Sequence, residues 1–404
     1  MQYRRWRGAK RFIAGSIIAV IALVGSALLR SQFEFSLELY TLSVVSLLLA
    51  SGALIAESLG ITPAVIEIIL GVLAGLSGLP TAESVELLGL IGSVFIMYMA
   101  GLEIDPGLLR RMIGPSLLSG FISFLAPALT AFTALHYLGY STAESWLAAI
   151  GTSTTGVAVV YAIIKKKALT RRPLGQLILA TAMTADVISI TAFVLVHAGI
   201  TLPVIIYFIG LVIAVWALSR FLEWASGGEH EVELRLILSF LIAAALISEY
   251  VGVHAILFAF LLGVATKRTV QKSRYLEDKL VALTFGLLAP VFFINAGLHA
   301  TPEDPLLYAK LAGLLLATTF PVKILATHIT LNTLSSRRLK LRLSSVFGAR
   351  LTVSTVIAFT GESTGVLSND LAGAIIMSAL IATIGAALIA GAPLPEKSLA
   401  RNSS

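Results

Sequence analysis

The 404-residue sequence contains no cysteine and few charged residues. The absence of cysteine excludes a disulfide scaffold, a thiolate metal site and a cysteine nucleophile. Charged residues make up 13% of the chain, against about a quarter in average soluble domains. Hydrophobic residues make up 57%, which also excludes a disordered chain. The composition therefore predicts an all-α polytopic membrane protein.

Long apolar runs alternate with short polar breaks along the chain. A membrane-spanning helix needs about 20 apolar residues, and this criterion predicts about fourteen spans. They cover residues 12–29, 39–59, 62–79, 86–103, 113–138, 144–164, 173–197, 202–219, 234–250, 253–266, 279–298, 306–334, 343–361 and 370–390. The segments between these spans are too short for a separate soluble domain.

The basic residues predict an orientation, because cytoplasmic loops carry an excess of Lys and Arg. One set of alternate loops is basic, and it contains Arg4, Arg5, Arg7, Lys10, Arg11, Arg110, Arg111, Lys165, Lys166, Lys167, Arg171, Arg172, Lys267, Arg268, Lys272, Arg274, Arg337, Arg338 and Lys340. The opposite set is acidic, and it contains Glu83, Glu86, Glu303, Asp304, Glu362 and Asp370. We therefore expect a cell (inner) membrane protein with both termini cytoplasmic. The basic residues behind the net charge of +7 lie in short clusters between long apolar runs. This pattern is typical of membrane-protein loops and not of a nucleic-acid-binding face, so we expect no nucleic-acid partner.

The first apolar run, residues 12–29, has two interpretations. A basic start followed by an apolar stretch is typical of a cleaved signal peptide. The run is long for that, however, and no clean small-x-small cleavage site follows it, so an extra transmembrane helix is favoured. The predicted division is residues 1–38 for the basic N-terminus and extra helix, 39–390 for the membrane domain, and 391–404 for a short cytoplasmic tail.

Asp186 is the most informative charged residue within a predicted span. It lies halfway along 173–197 with no basic residue near it in sequence, and an ionisable group at membrane depth is costly enough to indicate function. A carboxylate there is neutralised by a proton or stays charged beside a bound cation. These two states exclude each other, so Asp186 predicts a site shared by a cation and a proton. The structural alternative is an acid satisfied by the hydroxyl of Thr184 or Ser189.

Lys323, Glu67 and Arg350 are further charged residues within predicted spans. Lys323 follows Pro321 and lies too far from the helix ends to snorkel easily. An ammonium in this place needs a carboxylate partner, a helix C-terminus or a lowered affinity for its proton. We predict that Lys323 compensates charge or carries a proton, and we take Glu67 and Arg350 as secondary site candidates.

Two predicted spans combine glycine with hydroxyl residues at their centres. Residues 151–156 read Gly-Thr-Ser-Thr-Thr-Gly, and residues 348–355 read Gly-Ala-Arg-Leu-Thr-Val-Ser-Thr. Such stretches permit unwinding, and the freed carbonyls and hydroxyls coordinate small cations; a small-residue packing interface is the alternative. Each stretch is the middle span of a triplet, 113–197 or 306–390, and the triplets start from opposite sides, which predicts inverted repeats around a midplane site. The candidate ligands are Thr152, Ser153, Thr154, Thr155, Thr352 and Ser354.

Four strings, taken in order, resemble the monovalent cation–proton antiporters. They are Pro63-x-x-x-Glu67-x-x-x-Gly71-x-x-x-Gly75, Phe95-Ile-Met-Tyr-Met-Ala-Gly101-Leu-Glu-Ile-Asp105, Gly252-Val-His-Ala-Ile-Leu-Phe-Ala-Phe260-Leu-Leu-Gly263 and Pro290-Val-Phe-Phe-Ile-Asn-Ala-Gly297-Leu298. The branch that holds NapA-type sodium–proton exchangers and Kef-type potassium proteins is the most similar. The resemblance runs from about residue 39 to residue 390 and leaves the helix 12–29 as an addition.

The resemblance implies an NhaA/NapA-like fold with two crossed, discontinuous helices. It implies a core domain at approximately 113–197 and 306–390, and dimerisation helices from approximately 39–103 and 202–298. It further implies a homodimer, an elevator-like alternating-access movement, a role in pH homeostasis, and Asp186 as the ion- and proton-binding aspartate.

Two features depart from the family pattern. Ala185 precedes Asp186, whereas electrogenic members carry two adjacent aspartates, and the arginine-glycine-glutamate of the second broken helix is replaced by a looser sequence after Arg350. With one midplane carboxylate, charge counting favours one-for-one, electroneutral exchange. If Lys323 also carries a proton, the exchange moves net charge across the membrane and is electrogenic.

The expected function is secondary transport of Na⁺ or Li⁺ in exchange for H⁺, with no cofactor beyond the transported ions. A Kef-type K⁺/H⁺ antiporter and a sodium-coupled organic-anion symporter of similar architecture remain as alternatives. The sequence offers neither a pore filter nor a nucleotide-sensing domain for a channel-like efflux protein, and no constellation of residues for an enzyme.

Overall fold

The computed structural model describes residues 2–30, 37–59, 61–104, 106–111, 113–157, 172–198, 232–251, 255–300, 304–330 and 337–391, with scattered residues at 158–171 and 199–231. Within these ranges the chain is helical and has no β-strand. The helices are α1 (Gln2–Arg30), α2 (Leu37–Leu59), α3 (Pro63–Leu76), α4 (Glu83–Glu103), α5 (Pro106–Arg111), α6 (Ile113–Tyr137), α7 (Thr142–Ser153), α8 (Pro173–Ala198), α9 (Val232–Val251), α10 (Ala255–Lys272), α11 (Arg274–Leu283), α12 (Ala289–His299), α13 (Pro305–Thr330), α14 (Arg337–Ser345), α15 (Leu351–Ser363) and α16 (Asn369–Gly391).

Eight helical segments in the described part of the chain are long and apolar enough to cross a membrane. They are Leu37–Leu59, Glu83–Glu103, Ser116–Tyr137, Pro173–Phe193, Arg274–His299, Pro305–Thr330, Lys340–Ser363 and Asn369–Ala390. The chain is therefore an all-helical, multi-pass membrane protein.

Six of the fourteen predicted spans are not in this set, and they are 12–29, 62–79, 144–164, 202–219, 234–250 and 253–266. The second of them is the short apolar helix α3, of 14 residues. Most of 202–219 and much of the tail 391–404 lie outside the described residues. The number fourteen therefore stays a prediction.

Helices α10 and α11 extend beyond the apolar runs that predicted the spans. The span 253–266 corresponds to α10, which continues to Lys272, and the span 279–298 belongs to a helical segment that begins at Arg274. In both cases the additional turns are charged, because the helix extends beyond the apolar run that the membrane criterion detects. A π-helical turn, Thr284–Leu288, joins α11 to α12.

Helix α7 ends within the first glycine- and hydroxyl-rich stretch, and α15 begins within the second. A capping box starts α7: the Ser141 hydroxyl accepts from the Glu144 N–H at 3.2 Å and the Glu144 carboxylate accepts from the Ser141 N–H at 2.9 Å. The helix ends at Ser153, because Thr154 is extended (φ −64°, ψ 169°). In the second stretch a 3₁₀ turn, Val346–Gly348, and an extended Ala349 (φ −71°, ψ 120°) precede α15.

The chain folds as two compact units, the first formed by Met1–Met99, Trp216–Phe260 and Ala265–Thr301. In this unit α1 packs on α2, and α3 packs on α2 and α12. A Cβ placed on Gly15 of α1 would lie 2.8 Å from Ile55 Cγ1 of α2, and Arg11 forms an ion pair with Glu57. The helix α1 is thus closely packed on its neighbour.

The second unit comprises Ala100–Val215, Leu261–Val264 and Pro302–Ser404. Here α6 packs against α7, α8 and α13, while α16 packs against α13 and α15. The Thr130 hydroxyl of α6 donates to the Thr318 carbonyl of α13 at 2.8 Å. A Cβ on Gly120 of α6 would lie 2.7 Å from Thr184 Cβ of α8, so these two helices touch closely one half-turn from Asp186.

Candidate ion-binding site

Asp186 lies on α8 in the second unit, and only 2% of its surface is exposed. The Thr155 N–H donates to its Oδ1 at 3.4 Å. This donor belongs to the chain that leaves the end of α7, and a backbone N–H that bonds a carboxylate favours its negative charge. No ion pair within 4 Å in the described part of the chain includes Asp186.

The hydroxyls of α8 do not satisfy the Asp186 carboxylate. The Thr184 hydroxyl donates to the Ala180 carbonyl at 2.8 Å. The Ser189 hydroxyl donates to the main-chain carbonyl of Asp186 at 2.9 Å. Each hydroxyl has one proton to donate, so both are committed to the helix backbone.

Both cationic candidates of the second unit are fully buried beside the end of α7. The Lys323 ammonium donates to the Ser153 carbonyl and, at 2.6 Å, to the Thr154 carbonyl. The Arg350 guanidinium donates to the Thr152 carbonyl and, at 2.7 Å, to the Thr319 hydroxyl. The sequence left three ways to accommodate the Lys323 ammonium: a carboxylate partner, a helix C-terminus or a lowered affinity for its proton. In the structure the ammonium binds the C-terminus of helix α7.

The two helix interruptions are in direct contact. The Gly156 N–H donates to the Ala349 carbonyl at 2.7 Å. The Ser354 hydroxyl lies 2.9 Å from the Thr154 hydroxyl and donates to the Gly151 carbonyl at 2.5 Å. Main-chain and side-chain bonds therefore join α7 to the start of α15.

The predicted hydroxyl ligands divide into engaged and available groups. Thr152 donates to the Ala148 carbonyl at 2.7 Å, and Thr154 shares its bond with Ser354. The hydroxyls of Ser153 and Thr155 are buried and have no hydrogen-bond partner among the described residues. Among the described residues, these two hydroxyl oxygens near the end of α7 are therefore available to a ligand.

Thr352 and Glu67 were also predicted as site residues. Thr352 is half-buried on α15, and the described residues give its hydroxyl no hydrogen bond. Glu67 belongs to the first unit, where it is buried on α3 with its Cγ against Gly52 of α2.

Three residues near the site were not singled out from the sequence. Glu103 lies close enough to Asp186 for the two carboxylates to repel each other. Thr319 accepts from Arg350, and the Thr383 hydroxyl accepts from the Arg350 N–H at 3.1 Å. Two of the three could have been found from the sequence. Thr319 stands one helical turn before Lys323 and so lies on the same helix face, and Glu103 lies within the family-like string that ends at Asp105. No feature of the sequence marks Thr383.

The comparisons with known proteins agree on one family. The model of the family described as "Sodium/hydrogen exchanger, transmembrane" matches residues 42–394. "Probable Na(+)/H(+) antiporter 3" of Methanocaldococcus jannaschii is 26% identical over 77% of this chain and 84% of its own. "Na(+)/H(+)-K(+) antiporter GerN" of Bacillus cereus is 24% identical over 87% of this chain and 94% of its own.

A solved structure is similar in fold. The sodium proton antiporter MjNhaP1 of Methanocaldococcus jannaschii at pH 8 superposes with a TM-score of 0.67 at 19% identity, covering 87% of this chain and 97% of that one. The family model covers most of this chain, including α7, α8, α13 and α15, which carry the site. The protein therefore belongs to the transmembrane sodium/hydrogen exchanger family.

Proposed function

We propose that the protein exchanges Na⁺ or Li⁺ for H⁺ across the cell membrane by alternating access, with Asp186 as the shared binding site. The observation that carries this proposal is a buried carboxylate with no ion pair among the described residues, beside the unpartnered Ser153 and Thr155 hydroxyls. Na⁺ is a hard cation, and oxygen ligands of this kind suit it. Relatives that are named Na⁺/H⁺ antiporters support the choice of ions.

Competition at Asp186 couples the two ions. A buried carboxylate is costly to leave charged and alone, so it is stable when it holds either a proton or a cation. Both loaded forms have the same net charge, since each places one positive charge beside one carboxylate. Exchange of one Na⁺ for one H⁺ then moves no net charge. We propose this stoichiometry because Ala185 leaves Asp186 without an adjacent second aspartate.

Electroneutral exchange is testable in proteoliposomes. A pH gradient is imposed, Na⁺ is added, and the recovery of a pH-sensitive dye is followed with and without a potassium–valinomycin clamp. We expect the same initial rate at zero and at an imposed membrane potential. A rate that rises or falls with the potential would contradict one-for-one exchange, and recovery no greater than in empty liposomes would contradict the exchange function itself.

K⁺/H⁺ exchange is the second candidate, because one relative is named an Na⁺/H⁺-K⁺ antiporter. The same liposomes decide between the ions when Na⁺, Li⁺ and K⁺ are added in turn. Recovery driven by K⁺ alone would replace Na⁺ by K⁺ in the proposal and leave the role of Asp186 unchanged.

The proposed architecture divides the chain by task. The triplets 113–197 and 306–390 form inverted repeats of a core domain, and their interrupted helices cross at the site. The scaffold helices come from 39–103 and 202–298 and form the contact of a homodimer. Residues 1–38 add a retained helix, since α1 packs closely on α2. The termini face the cytoplasm, as the basic loops favour.

A further inference from the structure

Glu67 is a buried carboxyl group of the first unit that the proposed exchange at Asp186 does not use. It lies in the second turn of α3, and 3% of its surface is exposed. A Cβ placed on Gly52 of α2 would lie 3.3 Å from Glu67 Cγ, so the side chain meets α2 where α2 has no side chain of its own. The adjacent Ile66 and, one turn later, Leu70 belong to the apolar core of this unit. The carboxyl group therefore lies in apolar surroundings.

The described residues give the Glu67 carboxyl group neither a hydrogen bond nor an ion pair. The two buried hydroxyls of α2, on Thr41 and Ser51, donate to main-chain carbonyls instead, at 3.2 Å and 2.9 Å. The buried amide of α12, on Asn295, lies against α4, since a Cβ on Gly89 would be 2.9 Å from its Nδ2. These buried polar side chains of α2 and α12 are therefore not available to stabilise a charge on Glu67.

Four titratable side chains lie on α2 and α12, the helices with the main contacts to α3, and they are Glu38, Tyr40, Glu57 and His299. Glu57 forms an ion pair with Arg11, and Glu38 accepts two main-chain N–H groups at the start of α4. The Nε2 of His299 lies 3.8 Å from the Glu86 carboxylate, and the neutral Tyr40 packs on the apolar core. None of the four therefore gives Glu67 a positive partner.

A proton suits these surroundings better than a metal cation. A carboxylate that is buried without a partner is costly, and protonation removes its charge. A proton needs one oxygen, whereas a hard cation takes several oxygen ligands. The described part of the chain contains no group of three or more His, Cys, Asp or Glu side chains that could hold a metal ion. The surroundings of Glu67 therefore favour the neutral, protonated carboxyl group.

We infer that Glu67 is a second proton-binding site, which holds its proton at neutral pH and whose ionisation limits stability and exchange at alkaline pH. In an unfolded chain a glutamate releases its proton at about pH 4.3. Between that pH and the pH at which Glu67 ionises in the folded protein, the folded form binds more protons than the unfolded form, so stability falls as the pH rises. The effect on exchange rests on the proposed function, and the effect on stability does not.

Thermal unfolding in detergent tests the effect on stability. Glu67→Gln keeps the shape of the protonated carboxyl group and does not ionise. From about pH 5 to about pH 9 we expect the midpoint of the unaltered protein to fall by several degrees relative to that of Glu67→Gln. Glu83→Gln is the control, because Glu83 is exposed at the start of α4, and it should follow the unaltered protein. Parallel pH curves for Glu67→Gln and the unaltered protein would overturn the inference.

Infrared spectroscopy observes the proton itself, because the C=O stretch of a protonated carboxylic acid is separate from the bands of carboxylates and amides. The measurement uses the Asp186→Asn protein, which lacks the acid of the shared site. At neutral pH we expect this band, its loss on titration to alkaline pH, and a weaker band when Glu67→Gln is added. Equal bands with and without Glu67→Gln would overturn the inference. If Glu67→Gln does not fold, Glu67→Met, which is apolar and of similar length, takes its place.

Na⁺/H⁺ exchange in proteoliposomes tests the effect on transport. The pH acts on Asp186 in both proteins, so the quantity compared is the ratio of the exchange rate of Glu67→Gln to that of the unaltered protein. We expect this ratio to rise with pH, because only the unaltered protein acquires a buried charge between α2 and α3. A ratio that stays constant or falls would overturn the link between Glu67 and exchange, while exchange by the unaltered protein would still support the proposed function. Absence of exchange in the unaltered protein would contradict the proposed function, and the thermal and infrared results would then decide the proton site.

Discussion

Replacement of Asp186 by asparagine is expected to abolish Na⁺/H⁺ exchange in proteoliposomes. Asparagine has nearly the same shape, but it is neutral, binds no proton and offers one acceptor oxygen. Loss of groups that only support a metal ligand costs about 10- to 100-fold in affinity, so loss of the ligand itself is expected to cost at least about 100-fold. Dye recovery driven by Na⁺ would then fall to the level of empty liposomes.

The control for this variant is Asp278→Asn, which makes the same chemical change at an exposed position of α11. It is expected to exchange at the rate of the unaltered protein. Asp186→Asn itself is expected to fold, because removal of an unpaired buried charge relieves a cost. Exchange at an undiminished rate in a folded Asp186→Asn protein would remove Asp186 from the mechanism.

The second large effect is expected at Gly71, where a single methyl group cannot be accommodated. A Cβ at this position would lie 2.2 Å from the Ile294 carbonyl oxygen and 2.9 Å from Gly297 Cα. Both contacts are with backbone atoms of α12. Rotation of a side chain therefore cannot relieve them, and one of the two helices would have to shift. Overpacking typically costs about 1–3 kcal/mol and occasionally more, and we expect Gly71→Ala to reach the upper end of that range.

The measurement is thermal unfolding in detergent, compared with Gly313→Ala. A Cβ on Gly313 of α13 meets nothing within 4 Å, and alanine is favoured over glycine in a helix by about 1 kcal/mol. The midpoint should therefore fall by several degrees for Gly71→Ala and stay the same or rise for Gly313→Ala. Equal midpoints for the two variants would show that α3 and α12 are not in close contact.

The helical membrane class could be predicted from the sequence because a bilayer imposes length and hydrophobicity on each span. Asp186 could be predicted as a site residue for the same reason, since a carboxylate stands out in an apolar run. The positions at which α7 ends and α15 begins were indicated by Gly151, Gly156 and Gly348. These signals are local, so a single stretch of sequence contains each of them.

The hydrogen-bond partners of Lys323 and Arg350 could not be predicted in this way. Lys323 bonds main-chain carbonyls, and every residue has a carbonyl, so no residue type marks its partner. Arg350 lies 198 positions from Thr152, and only the fold brings the two together. The end of α10 was missed because its last turns are charged and do not resemble a membrane segment.

The bond between Gly156 and Ala349 has a consequence for how the two interruptions respond to change. It joins a main-chain N–H to a main-chain carbonyl at 2.7 Å, and any residue other than proline supplies the donor. Side chains around Asp186 can therefore be substituted without loss of this hydrogen bond. The contact between the two interrupted helices depends on the path of the backbone, so the surrounding positions can vary in sequence during evolution.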